Sequence, residues 1–121
     1  MKNILLIDDD QTFGETIKTA LDATRYTIVS AVNGEDGLKS IESQRPDLIL
    51  LDVMMPKMNG IEFLKQINEK YGEGKIPVLI TSNNSSLDNI SEGVSLGIRG
   101  YFVKSNESLQ SIAAIVDKTL A

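Results

Sequence analysis

The chain has 121 residues, no Cys, no His and a formal charge of -5. That length suits one ordinary domain with a real core. The composition excludes disulfides, thiolate nucleophiles, Cys-based metal centres and imidazole acid–base chemistry, and the acidic balance argues against nonspecific nucleic-acid binding. Met1-Lys2-Asn3 leads straight into a four-residue apolar run, too short for a signal peptide, and no stretch approaches a membrane span. The expectation is a cytoplasmic protein with no membrane insertion and no direct nucleic-acid binding.

Ile4–Ile7 is the first predicted strand and ends abruptly in Asp8-Asp9. Phe13, Ile17, Ala20 and Leu21 recur at helical spacing and predict a first helix over residues 11–23. Asp10 fits an N-cap or a solvated neighbour better than a third ligand. Thr27–Ala31 reads as the second strand, and Asn33 with Asp36 opens the second helix. Leu48–Leu51 reads as the third strand and delivers Asp52. Asn59 with Glu62 resembles a capping box ahead of Phe63, Leu64 and Ile67. Gly72-Glu73-Gly74 is a loop, after which Val78–Thr81 forms the fourth strand and Ser82 follows it. Leu87, Ile90 and Val94 make a thin apolar stripe in the fourth helix. Gly100–Val103 is the fifth strand, with Tyr101 inside it and Lys104 at its end. Leu109, Ile112, Ala113, Val116 and Leu120 give the last helix a stronger stripe. Strands alternating with helices of this length imply right-handed βαβ units, an α/β fold, and a parallel sheet covered on both faces. No linker, repeat or low-complexity tract interrupts the pattern, which predicts one domain over 1–121.

Chemistry is expected outside the carboxyl ends of the strands, where ligands of open parallel sheets sit. Asp8, Asp9 and Asp52 arrive there from two strands. Without His or Cys they form a hard, oxygen-only set suited to Mg²⁺. Side chains alternate along an ideal strand, so Asp8 and Asp9 can approach one ion only where the chain turns toward the helix. Asp52 can then act as a nucleophile toward phosphorus. Lys104 and Ser82, at matching strand ends, can supply the positive charge and the donor that a transferred phosphoryl group needs. Each has a blander role open to it: Lys104 as a surface lysine, Ser82 as a turn or cap residue, Tyr101 as packing on an edge strand.

Taken together, these residues resemble the receiver domain of two-component response regulators over essentially the whole chain. The resemblance rests on the acidic pair Asp8-Asp9, on Leu51-Asp52-Val53-Met54-Met55-Pro56 with the turn Lys57-Met58-Asn59-Gly60, on Ser82 thirty positions beyond Asp52, and on Tyr101 with Lys104. It implies a doubly wound, flavodoxin-like sheet of five strands in the order 2-1-3-4-5. It also implies a function: Asp52 accepts a phosphoryl group from a histidine kinase or histidine phosphotransfer protein. Asp8, Asp9, Asp52 and the Met54 carbonyl hold Mg²⁺, and Lys104 contacts the phosphoryl group. Ser82 moves to hydrogen-bond it, and Tyr101 turns inward. The surface of the fourth helix, fifth strand and fifth helix then changes for a downstream protein or fused effector domain. Slow hydrolysis, governed by Met54 and Asn84, resets the switch. Such a protein is no enzyme in the usual sense, but it catalyses its own phosphorylation and dephosphorylation.

Two positions depart from the family pattern. Asn83 stands where a small residue usually follows the switch hydroxyl, and Ser105 replaces the proline that usually follows the lysine. Without proline a cis bond costs about 2.5–4 kcal/mol. A trans bond is therefore expected, with Ser105 or Asn106 capping the last helix. Two other readings compete. Asp8-Asp9-Asp10-Gln11-Thr12 resembles the DxDxT motif of haloacid-dehalogenase-like phosphatases, with Asp8 as nucleophile and Asp10 as acid–base residue. That family also expects an acidic pair beyond the lysine, where this chain offers only Glu107 and Asp117. A phosphorylation-independent binding module with an idle acid site is the other.

Overall fold

A computed structural model describes residues 1–53, 58–82 and 87–120. Strand β1 (Lys2–Ile7) is followed by helix α1 (Gln11–Ala20), β2 (Tyr26–Ala31), α2 (Gly34–Ser43), β3 (Leu48–Asp52), α3 (Gly60–Tyr71), β4 (Val78–Ser82), α4 (Leu87–Ser95), β5 (Gly100–Val103) and α5 (Leu109–Leu120). The strands form one parallel sheet in the order β2-β1-β3-β4-β5. The fold is thus the flavodoxin-like α/β arrangement that the resemblance implies. Asp52 and Ser82 are the last residues of their strands, one position deeper than the apolar runs indicate.

Strand parity divides the core. Ile4, Leu6, Leu48, Leu50, Leu79 and Phe102 face α1 and α5, where Phe13, Ile17, Ile112 and Val116 meet them. Leu5, Ile7, Ile49, Leu51 and Val78 face α2 and α3, against Ile41, Phe63, Leu64 and Ile67. Strand stretches buried on both faces are near-continuously apolar, so β1, β3 and β4 are legible from the runs Ile4–Ile7, Leu48–Leu51 and Val78–Ile80. Each fully buried Leu or Ile contributes about 1.5–3 kcal/mol of transfer free energy.

Local capping follows the sequence closely. Asp10 accepts from the Phe13 amide at 3.2 Å, Asn33 from Asp36 at 2.9 Å, and Asn59 from Glu62 at 2.9 Å. Four details differ from expectation. Helix α1 stops at Ala20, because the Asp22 carboxylate captures the Thr24 amide and hydroxyl at 2.9 and 2.7 Å and folds the chain into a turn. At α3 the Glu62 carboxylate accepts from the Asn59 side-chain amide, at 3.4 Å. Residues Lys104–Asn106 form a 3₁₀ turn, and the cap of α5 is Ser108, whose hydroxyl accepts from the Ser111 amide at 3.0 Å. Ser105 and Asn106 are spent in that turn and cannot cap. Finally, Val94 is 58 % exposed and leaves the apolar stripe of α4. That helix approaches the sheet through Gly93 instead, where a Cβ would lie 2.5 Å from Ile80 Cδ1.

Candidate functional site

The carboxyl ends of β1, β3, β4 and β5 meet above the α1/α5 layer. Asp8, Asp52, Thr81, Phe102 and Lys104 share the parity of Leu6, Leu50 and Leu79 and belong to that side. Asp8 and Asp52 are both buried, and Asp9 is exposed. Strand β1 ends at Ile7, which frees Asp9 from strict alternation. One carboxylate oxygen from each of Asp8, Asp9 and Asp52 lies within 4.8 Å of the others. Two anions at such a separation repel by about 3–4 kcal/mol at an effective dielectric constant of 20. The site therefore requires cations.

One cation is built in. Lys104 Nζ lies 2.5 Å from Asp8 Oδ2 and 3.8 Å from Asp52 Oδ2, with only 8 % of its side chain exposed. The other oxygen of Asp8 accepts from the Asp10 amide at 2.9 Å. Among the described residues, three carboxylates meet the one ammonium of Lys104, an excess of negative charge that suits a divalent cation. The donors are all oxygens, the set that Mg²⁺ and similar hard ions prefer. The residues present thus fit a divalent ion.

The backbone behind Asp52 is held tightly. The Gly60 amide donates to the Val53 carbonyl at 3.1 Å, which ties the first residue of α3 to the residue after β3. A Cβ on Gly60 would meet the Asp52 carbonyl oxygen at 2.6 Å and Val53 Cα at 2.7 Å. Only glycine permits α3 to start this close to the carboxylate-bearing residue.

A family comparison agrees with the geometry: the model of the response regulator receiver domain matches residues 4–116. The chain belongs to the response regulator receiver domain family. This receiver is 36% identical over 104 residues to the alkaline phosphatase synthesis transcriptional regulatory protein PhoP of Bacillus subtilis, covering 85% of the chain and 42% of that relative. It is 39% identical over 114 residues to the nitrate/nitrite response regulator protein NarL of Escherichia coli, covering 93% of the chain and 52% of NarL. The chain thus spans about half the length of these relatives. Among solved structures, the chemotaxis protein CheY4 of Vibrio cholerae superposes with a TM-score of 0.88 at 26% identity, with 99% of each chain covered. The receiver domain of the Francisella response regulator 1452 does so with a TM-score of 0.85 at 28% identity, covering 99% and 97% of the two chains.

The remaining expected site residues of this receiver are placed as follows. Ser82 is buried at the end of β4, in register with Val103. Tyr101 is 52 % exposed on the edge strand. Met54, Asn83 and Asn84 lie outside the described residues. No peptide bond among the described residues is cis, so the bond from Lys104 to Ser105 is trans as expected, and the lysine still reaches the acids. The phosphatase reading fares poorly. Asp10 is occupied in capping α1, and Asp117 lies at the opposite end of the sheet, where Arg25 and Tyr26 engage it.

Two residues of the site were not singled out from the sequence for any role in it. The Phe13 ring centroid is 4.4 Å from Lys104 Nζ, a cation–π distance. Thr81 is in register with Asp52, fully buried, and its hydroxyl has no hydrogen-bond partner among the described residues. In the sequence Phe13 reads as an ordinary core position of α1 and Thr81 as an ordinary strand residue. Neither carries a local signal of its neighbour across the fold.

Proposed function

We propose that residues 1–121 form one receiver domain whose Asp52 accepts a phosphoryl group from the phosphohistidine of a histidine kinase or phosphotransfer protein. The observation that carries this reading is the convergence of three carboxylates at the sheet's carboxyl edge, two of them beside the Lys104 ammonium. An Asp52 oxygen forms the new O–P bond as the N–P bond of the donor breaks. The imidazole departs with the electron pair and takes up a proton. Asp8, Asp9 and Asp52, with the Met54 carbonyl, hold Mg²⁺, which when bound neutralises phosphoryl oxygens. Lys104 shifts from Asp8 toward the transferred group and supplies charge to it.

Ser82 and Tyr101 form the switch. The Ser82 hydroxyl donates to the phosphoryl group, and Tyr101 moves inward from its exposed position. The surface of α4, β5 and α5 changes in consequence. Contacts made only in the active arrangement favour that state, and typical couplings of about 1–3 kcal/mol change its population several- to a hundredfold. Hydrolysis resets the domain: water adds to phosphorus, the O–P bond breaks and inorganic phosphate leaves. Met54 and Asn84 modulate that rate, and it is modest. The setting is the cytoplasm, with no nucleic-acid contact through these residues. The output is a partner protein or a fused effector, the latter as the longer PhoP and NarL chains suggest.

The test is incubation with acetyl phosphate and Mg²⁺, followed by intact mass and peptide mapping. One phosphate on Asp52, absent in Asp52→Asn and sharply reduced without Mg²⁺, is expected. Modification at Asp8 with rapid turnover would favour a phosphatase. Metal binding without phosphorylation by any competent kinase would favour an idle binding module.

A further inference from the structure

Lys104 is held from two sides. Its ammonium faces Asp8 Oδ2 at 2.5 Å, and the Phe13 ring lies 4.4 Å away. Both side chains are largely withdrawn from water, Phe13 at 8 % exposure and the Lys104 side chain at the same value. A cation over an aromatic face gains most where water is excluded. The carboxylate gripped by this lysine is one of the three that converge, and its second oxygen also accepts from the Asp10 amide. A divalent ion that binds Asp8 shares this carboxylate with Lys104, and its charge repels the ammonium. Whatever stabilises the resting position of Lys104 opposes the ion.

We propose that Phe13 is a positioning residue that holds Lys104 on Asp8 in the metal-free site and thereby lowers the site's affinity for a divalent cation. The inference rests on the metal-binding role read for Asp8, Asp9 and Asp52. It assigns Phe13 two roles at once, since the ring also packs in the core with Ile17 and Ile112.

Mutation alone would mix those roles, so the ring is altered electronically. Placing 3,4,5-trifluorophenylalanine at position 13 keeps nearly the same shape and withdraws the negative charge of the ring face. Binding of Mg²⁺ and Mn²⁺ is then measured by calorimetry on the native and substituted proteins. The fluorinated protein is expected to bind about two- to fivefold more tightly. Phe13→Leu should shift affinity in the same direction. In a Lys104→Met background fluorination should have no effect, because the residue through which Phe13 acts is gone. A purely structural role predicts the opposite sign, since loosening the core misaligns the carboxylates and weakens binding. Unchanged or weaker binding by a fluorinated protein that melts like the native one would overturn the proposal while leaving the metal site intact. No ion binding by the native protein would overturn both.

Discussion

Lys104 Nζ stands 2.5 Å from Asp8 Oδ2 and 3.8 Å from Asp52 Oδ2, so at rest the lysine is paired with the acid beyond β1 and only adjacent to the one that ends β3. The proposed phosphoacceptor is thus screened by the ammonium and not capped by it. Removing that charge takes the ammonium partner away from the buried Asp8 carboxylate, and losing one partner of a buried pair typically costs about 3–5 kcal/mol. Lys104→Met is expected to destabilise the metal-free protein by about 3 kcal/mol, and added Mg²⁺ should recover a larger share than it does in the native protein. Urea titrations with and without Mg²⁺ check this. Equal effects of Mg²⁺ on both proteins would mean that ion and lysine do not share a site.

Gly60 is the steric hinge behind Asp52. A methyl group there would lie 2.6 Å from the Asp52 carbonyl oxygen, closer than real contacts permit. Gly60→Ala should cost about 1–3 kcal/mol, the usual range for overpacking, and should slow phosphorylation because the displaced backbone carries the nucleophile. Stability by denaturant titration and rate by acetyl phosphate labelling measure the two effects together. A destabilised protein phosphorylated at the native rate would show that Asp52 is positioned independently of this contact.

Thr81 offers a test of opposite sign. Its buried hydroxyl lacks a partner among the described residues and belongs to the residue in register with Asp52. Thr81→Val keeps the β-branched shape and removes the unsatisfied group, which should stabilise the domain by about 1 kcal/mol. Thermal unfolding read against the native protein decides it. A loss of stability would show that the hydroxyl is hydrogen-bonded in the folded protein.

At the far end of the sheet, Tyr26 donates its phenol to Asp117, and Arg25 pairs with the same carboxylate at 3.3 Å. Burial, and then the Asp117 bond, raise the Tyr26 pKa above its ordinary 10.0. A raised value means that the neutral phenol is favoured in the folded state. Its contribution is complete below about pH 10 and disappears as pH climbs through the higher folded value. Tyr26→Phe should lose about 1 kcal/mol at neutral pH. It should also decline less steeply than the native protein above about pH 10. Parallel alkaline unfolding curves would refute the assignment.

The acidic strand ends, the five strands and most of the caps were legible in the sequence, because each depends on neighbours a few residues away. An apolar run that is buried on both faces announces itself, and Asn33 or Asn59 caps the helix directly beside it. Even the set Asp8, Asp9, Asp52 and Lys104 could be read, since parallel βαβ topology carries every strand end to the same edge. Distances between those ends were beyond its reach. The choice of Asp8 over Asp52 by Lys104, the ring of Phe13 beside that ammonium, the register of Thr81 with Asp52 and the approach of α4 through Gly93 all involve partners on different elements. Lys104 and Asp8 are ninety-six positions apart. Local patterning determined which residues reach the site, and only the packing of helices against the twisted sheet decided which of them touch.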